Sequence, residues 1–280
     1  MEIKLNREME FKWYTPKIKT IQVFSLVFYL AVVGVNYLAN SLPINGKNTG
    51  QVSDQYPNLF VPAPYTFSIW GLIYFFLFVF CIFQIANKTI ANRSKDSQEL
   101  TQNIHAAFII TCILNMAWIV AWHYDFVLLS VIVMLFLLLT LILLNSYILF
   151  LEPELTKAEK FFIKAPFGLY LGWICIATIA NITALLIKYD WRGAGMGEES
   201  WAFILILIGA IIGIVSIFKF NNFYLGLSII WAFGGIIVER RNNIIYHKSV
   251  ELCAWIGIVI VAIAIFIELT NLWKKQTDSD

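Results

Sequence analysis

Residues 62–74, PAPYTFSIWGLIY, close a long polar loop and open an apolar run that continues to about Ile85. Pro62 and Pro64 fix φ and lack an N–H, which suits an extended segment ahead of a helix. Thr66 and Ser68 are placed to satisfy the first free amides of that helix. Trp70 and Tyr74 then fall one turn apart on one face. An aromatic face below a proline-rich loop makes a floor for a lidded pocket. The more usual explanation of such a face is a membrane-interface anchor, because Trp and Tyr collect at that level.

Composition settles the solvent. Hydrophobic residues are 60% of the 280, charged residues 14%, and the mean hydropathy is +0.74. Soluble domains carry about 25% charged residues, so this chain reads as a membrane protein. A net charge of +2 gives no footprint for nucleic acid. Cys81, Cys112, Cys175 and Cys253 all sit in apolar runs without pairwise spacing and read as small buried side chains. His105, His123 and His247 are far apart, so no metal site is expected.

Taken in order, the hydropathy predicts an all-α, polytopic membrane bundle of eight helices: about 20–38, 66–85, 105–121, 126–149, 163–187, 201–218, 223–238 and 250–272. The first run follows a basic stretch (Lys4, Arg7, Lys12, Lys17, Lys19, with Trp13 and Tyr14) but is too long for a signal-peptide core, so it is expected to stay as a span. Residues 39–65 form a long polar loop, and such loops carry function or disorder. Residues 87–103 read as a charged connection, 151–164 as an amphipathic one, and Pro166 as part of a first helical turn. The segment 219–222 reads as a tight hairpin. The tail from Lys274 onward is expected to fray.

Polar residues inside the apolar runs are the informative ones. Asn115, Trp118 and Trp122 share a face by their spacing. An unpaired amide in hydrocarbon costs several kcal/mol, so Asn115 must face protein or a cavity, as a helix–helix bond or a ligand contact. Trp173, Ala177 and Asn181 repeat every four residues and form one stripe. Asn36, Asn145 and Glu268 lie near run ends, where headgroups or snorkelling would solvate them. Trp191 and Trp201 flank a glycine-rich loop and read as interface anchors.

The Lys/Arg balance orients the bundle. With the N-terminus in the cytoplasm, that side gathers the N-terminal cluster, Lys88, Arg93, Lys95, Lys157, Lys160, Lys164, Lys219, Lys274 and Lys275, against Lys47, Lys188, Arg192, Arg240, Arg241 and Lys248 outside. Both termini are therefore expected in the cytoplasm, with the proline-rich loop outside.

Three stretches resemble one family. Pro62-Ala-Pro-Tyr-Thr-Phe-Ser-Ile-Trp70 with Tyr74 is similar to the lid and second-helix motif of the TspO/translocator-protein family, the tryptophan-rich sensory proteins. Asn115-Met-Ala-Trp118 resembles its third-helix motif, and Pro166-Phe with Trp173, Ala177 and Asn181 its fifth-helix signature. The motifs stand in the family's order across about residues 20–186. The last three runs have no counterpart in the five-helix core, so the extended bacterial form is the nearer match. The resemblance implies a five-helix core (residues 1–190) and a three-helix extension (191–280) in a bacterial inner (plasma) membrane. It also implies a pocket under the first loop that takes a porphyrin- or sterol-like planar ligand. Transferred by motif, that pocket comprises Trp70, Tyr74, Asn115, Trp118, Trp173, Ala177 and Asn181, with Pro62, Pro64 and Tyr65 in the lid. Trp70 and Trp173 are expected to approach each other and sandwich the ligand, because indoles stack on flat macrocycles. A tetrapyrrole enters as ligand and not as resident cofactor. No catalytic residue is assigned, although some family members are linked to light-dependent porphyrin breakdown. The extension is expected to pack as an added layer outside the pocket. A homodimer is left open.

Two other function classes stand beside ligand binding and sensing. Eight helices would suit a secondary transporter of a small hydrophobic or amphipathic solute, but only a faint internal echo, Tyr170-Leu-Gly172 and Tyr224-Leu-Gly226, is visible, and no clear mid-span charge. An enzyme would need a Ser/His/Asp set, paired carboxylates or a metal cluster, and none is visible in the runs.

Overall fold

The computed structural model of this chain describes residues 17–277 except 88, 192 and 244. The basic and aromatic residues of positions 1–16, together with Lys88 and Arg192, lie outside the described residues. The described part is all-helical. Its helices are α1 (Ile18–Ser41), the short α2 (Thr49–Ser53), α3 (Ile69–Ala86), α4 (Lys95–His123), α5 (Val127–Leu151), α6 (Lys157–Lys188), α7 (Glu198–Phe220), α8 (Tyr224–Asn242) and α9 (Lys248–Thr277). All of them except α2 and α8 are long and apolar enough to cross a membrane. The 19-residue α8 falls short because its last turns carry Glu239, Arg240 and Arg241.

Helices α1, α3, α6, α5 and α4 pack in that order as a closed ring. Helix α8 lies along α6, and α7 and α9 pack on α8 and on each other. Small residues set the α6–α8 approach: a Cβ on Gly172 would stand 2.2 Å from the Leu225 carbonyl oxygen. Ser228 Oγ donates to the Leu169 carbonyl at 2.7 Å across the same seam. The outer faces expose Val27 and Leu30 of α1, Phe75 and Phe78 of α3, Phe136 and Leu139 of α5, and Ile263 and Phe266 of α9. Such contiguous apolar surface is what a lipid-facing bundle presents.

Several boundaries differ from the sequence reading for identifiable reasons. Helix α4 starts ten residues before His105, because Ser94 caps it and its charged first turns are still helical. Helix α6 starts at Lys157 through a Thr156/Glu159 capping box, so Pro166 stands well inside the helix and not in its first turn. Segment 64–68 is a 3-10 turn ahead of α3, and neither Thr66 nor Ser68 caps that helix through its side chain. Asn145 is buried and donates to the carbonyls of Leu141 and Phe167, which corrects its placement among headgroups. Glu268 is likewise buried, so it does not snorkel outward. The hairpin at 221–223 is present, with Asn221 in the left-handed region. The four cysteines are buried and free.

Candidate functional site

The loop between α1 and α3 is tied down along its length. Asn45 Nδ2 donates to the His123 carbonyl at 3.0 Å, and Trp122 Nε1 to the Thr49 carbonyl at 3.3 Å. The Tyr56 hydroxyl donates to Asp125, which also pairs with Lys188 Nζ at 2.6 Å. Burial raises the Asp125 carboxyl, but Lys188 and Tyr56 outweigh it and hold it below its ordinary range. Tyr56 is raised, first by burial and then by its bond to Asp125.

The proline-rich end docks on α8. The Ala63 amide donates to the Gly235 carbonyl at 3.0 Å, and Trp231 Nε1 donates to the Thr66 carbonyl at 2.8 Å. The Tyr65 ring meets Trp231 edge-on at 5.7 Å, and Pro62 and Thr66 fill the space that a Cβ on Gly235 would need. Helix α8, part of the extension, is therefore a wall of the lid. The extension thus packs on the core and braces the lid, while no residue of it lines the groove between α1 and α3.

Beneath the lid lies an aromatic cluster. Trp70 stacks on Tyr74 with centroids 5.3 Å apart, as their one-turn spacing requires. Trp70 meets Tyr170 at 5.5 Å and Trp173 at 6.4 Å, both edge-on, and Phe67 meets Trp173 edge-on at 5.9 Å. The two tryptophans do approach each other, but their planes stand at 83°, so no slot for a flat molecule lies between them. Trp173 is buried behind Trp70.

The open space is on the other side of Trp70. A groove of about 500 Å³ runs between α1 and α3, lined by Trp70, Tyr74, Phe67, Asn36, Tyr37 and Thr49 among others, with no charged side chain. Asn36 is buried here and not solvated by headgroups: its Nδ2 donates to Asn115 Oδ1 at 2.8 Å and to the Val32 carbonyl at 3.0 Å. The Tyr74 hydroxyl donates to the same Asn115 oxygen at 3.4 Å, and Asn115 Nδ2 donates to the Tyr170 hydroxyl at 3.2 Å. One amide thus joins α1, α3, α4 and α6 just behind the groove wall. An uncharged aromatic wall backed by amides and hydroxyls is the kind of lining that small-molecule pockets use.

Of the residues transferred by motif, Trp70, Tyr74, Asn115 and Trp173 come together, with Pro62, Pro64 and Tyr65 in the docked loop above them. Trp118 and Asn181 form a separate unit: Trp118 Nε1 donates to Asn181 Oδ1 at 2.9 Å, and Asn181 Nδ2 donates to Ser130 Oγ at 2.9 Å. Ala177 is half-buried against the core and does not line the groove. Asn36, Phe67 and Tyr170 belong to this cluster although the motifs do not assign them to the pocket. Asn36 had a signal, being an amide on an otherwise apolar α1, whereas Phe67 and Tyr170 are ordinary aromatic residues in aromatic-rich runs. Trp191 and Trp201, expected as interface anchors, meet edge-on at 4.8 Å and line a second cavity of about 390 Å³ where α7 meets Phe60.

A helical membrane bundle with an uncharged interhelical groove beneath a strapped loop is a membrane ligand-binding protein in general form. The chain matches the model of the TSPO-like protein family over residues 22–267 and belongs to that family. The match runs through α7 and α8 into α9, so the extension belongs to the family pattern, which the three motifs alone did not reach. Comparison with curated proteins and with solved structures gives no match.

Proposed function

We propose that this protein binds a hydrophobic planar molecule, porphyrin- or sterol-like, in the α1–α3 groove under the first loop. The carrying observation is the Trp70–Tyr74 stack facing an uncharged groove of small-molecule size, with Asn36 and Asn115 behind it. Residues 1–190 form the binding core, and residues 191–280 brace its lid through Trp231 and Gly235. The cell membrane, with both termini cytoplasmic, is part of the same reading. It is supported by Lys157, Lys160, Lys164 and Lys219, which lie toward the end opposite the strapped loop.

Titration of the purified protein with protoporphyrin, haem and cholesterol, read by quenching of tryptophan fluorescence, tests this. Trp70→Leu should weaken the tightest of these by about tenfold, the loss of one aromatic contact. Trp255→Leu, on the exposed face of α9, should leave it unchanged. Equal losses in both variants, or none in Trp70→Leu, would place the ligand elsewhere.

A further inference from the structure

At the end of the bundle opposite the lid, a cavity of about 730 Å³ opens between the α5–α6 turn and the α7–α8 hairpin. Lys157, Lys160 and Lys164 line it from one face of α6, as their i, i+3, i+7 spacing dictates. Three lysines against the one lining glutamate, Glu152, leave the wall at +2. Lys164 is 6% exposed, and its Nζ is held 2.9 Å from Glu152, with the buried Glu268 farther off. Lys157 and Lys160 make no ion pair among the described residues, since Glu159 on the same turn is taken by Arg93 at 2.5 Å. The rest of the lining is largely apolar: Phe161, on the same face of α6 as the lysines, meets Tyr224 of α8 edge-on at 6.1 Å, and Leu149 and Leu272 also line the cavity. Asn222 Nδ2 donates to the Lys164 carbonyl at 3.0 Å and fixes the hairpin against α6.

Depth fits the chemistry. Helix α6 has 32 residues, about 48 Å of rise, against a hydrocarbon core of about 30 Å. Its first turns therefore project into the headgroup layer. Two uncompensated ammonium groups beside an aromatic and aliphatic wall match an anionic head on an acyl chain. A soluble phosphate would use the lysines but leave that wall unused.

We propose that this cavity is a binding site for an anionic phospholipid, with Lys157 and Lys160 taking the phosphate and the acyl chain lying along Phe161, Tyr224 and Leu272. Native mass spectrometry of the full chain, delipidated and titrated with phosphatidylglycerol or phosphatidylcholine of the same acyl chains, tests it. The expected result is one tightly retained phosphatidylglycerol, lost about tenfold more readily from the Lys157→Gln, Lys160→Gln double variant. Phosphatidylcholine retention should not change, and the variant should keep the wild-type melting temperature. Lys95→Gln, an exposed lysine outside the cavity, should retain phosphatidylglycerol as wild type does. Equal loss in Lys95→Gln would mean diffuse charge attraction and overturn the site. Displacement of the lipid by millimolar inorganic phosphate would reassign the cavity to a soluble anion and overturn the lipid.

Discussion

Trp231 on α8 donates its indole N–H to the carbonyl of Thr66, 165 residues earlier in the chain, at 2.8 Å. The bond lands one residue before Phe67, whose ring touches Trp173, and four before Trp70. The lid of the groove is thus held on one side by α8 and on the other by the α4–α5 turn. Neither anchor belongs to α1 or α3, the two helices that frame the opening. Widening the groove by moving α1 therefore need not disturb the lid, whereas loosening α8 must.

Trp231→Phe keeps the ring against Tyr65 but removes the donor. A single net hydrogen bond is worth about 0.5–1.5 kcal/mol. Hydrogen exchange at the Ala63 amide, which is bonded to Gly235, should accelerate by about twofold to tenfold, with global unfolding little changed. Unchanged exchange in that segment would mean the lid is held without α8.

Two glycine-to-alanine changes should have opposite signs. At Gly172 the added Cβ would sit 2.2 Å from a backbone oxygen of α8, so the seam has to open. Overpacking of this kind costs about 1–3 kcal/mol. At Gly34 nothing lies within 4 Å, and helix propensity favours alanine by up to about 1 kcal/mol. Melting in detergent should fall for Gly172→Ala and hold or rise for Gly34→Ala. A stable Gly172→Ala protein would show that α8 does not press on α6 this closely.

The helices were legible because lipid demands long apolar runs, and the groove wall because Trp70 and Tyr74 are one turn apart. What the runs could not show was pairing. Asn36 and Asn145 looked interfacial from their positions near run ends, yet each bonds a second helix. Helix ends lie beyond the apolar runs wherever a charged turn continues an apolar helix, at Lys95 and Lys157, because hydropathy stops where the helix does not. The docking of Thr66 on Trp231 spans 165 residues, and no local pattern encodes it.

Asn115 offers a test that separates binding from architecture. Its oxygen accepts from Asn36 and Tyr74 and its nitrogen donates to Tyr170. Asn115→Leu would leave the Tyr170 hydroxyl without that partner. Side-chain hydrogen bonds in membranes average about 0.6 kcal/mol, so a hub of three should cost about 1–2 kcal/mol of stability. Porphyrin affinity should fall in the same variant if the hub positions Tyr74 for the ligand. A loss of stability with unchanged affinity would make the amide purely a helix tie.

The Tyr56–Asp125–Lys188 clasp predicts a pH dependence with a definite sign. Burial raises the Asp125 carboxyl, but its bonds from Lys188 and Tyr56 bring it below its ordinary 3.8. A carboxylate with a depressed folded value stabilises the closed loop fully above about pH 3.8, and that contribution fades as pH falls through the lower value. The loop should therefore stay protected from protease through neutral and mildly acidic pH and open only below the ordinary 3.8, as pH falls through the depressed value. Half of the Asp125 side chain is exposed (52%), so solvent screening keeps the effect local to the loop. Asp125→Asn removes the charge while keeping an acceptor. It should show the open-loop cleavage rate already at pH 7, with little further change on acidification. If that variant instead retains the wild-type acid transition, another carboxylate governs the loop and the clasp is incidental.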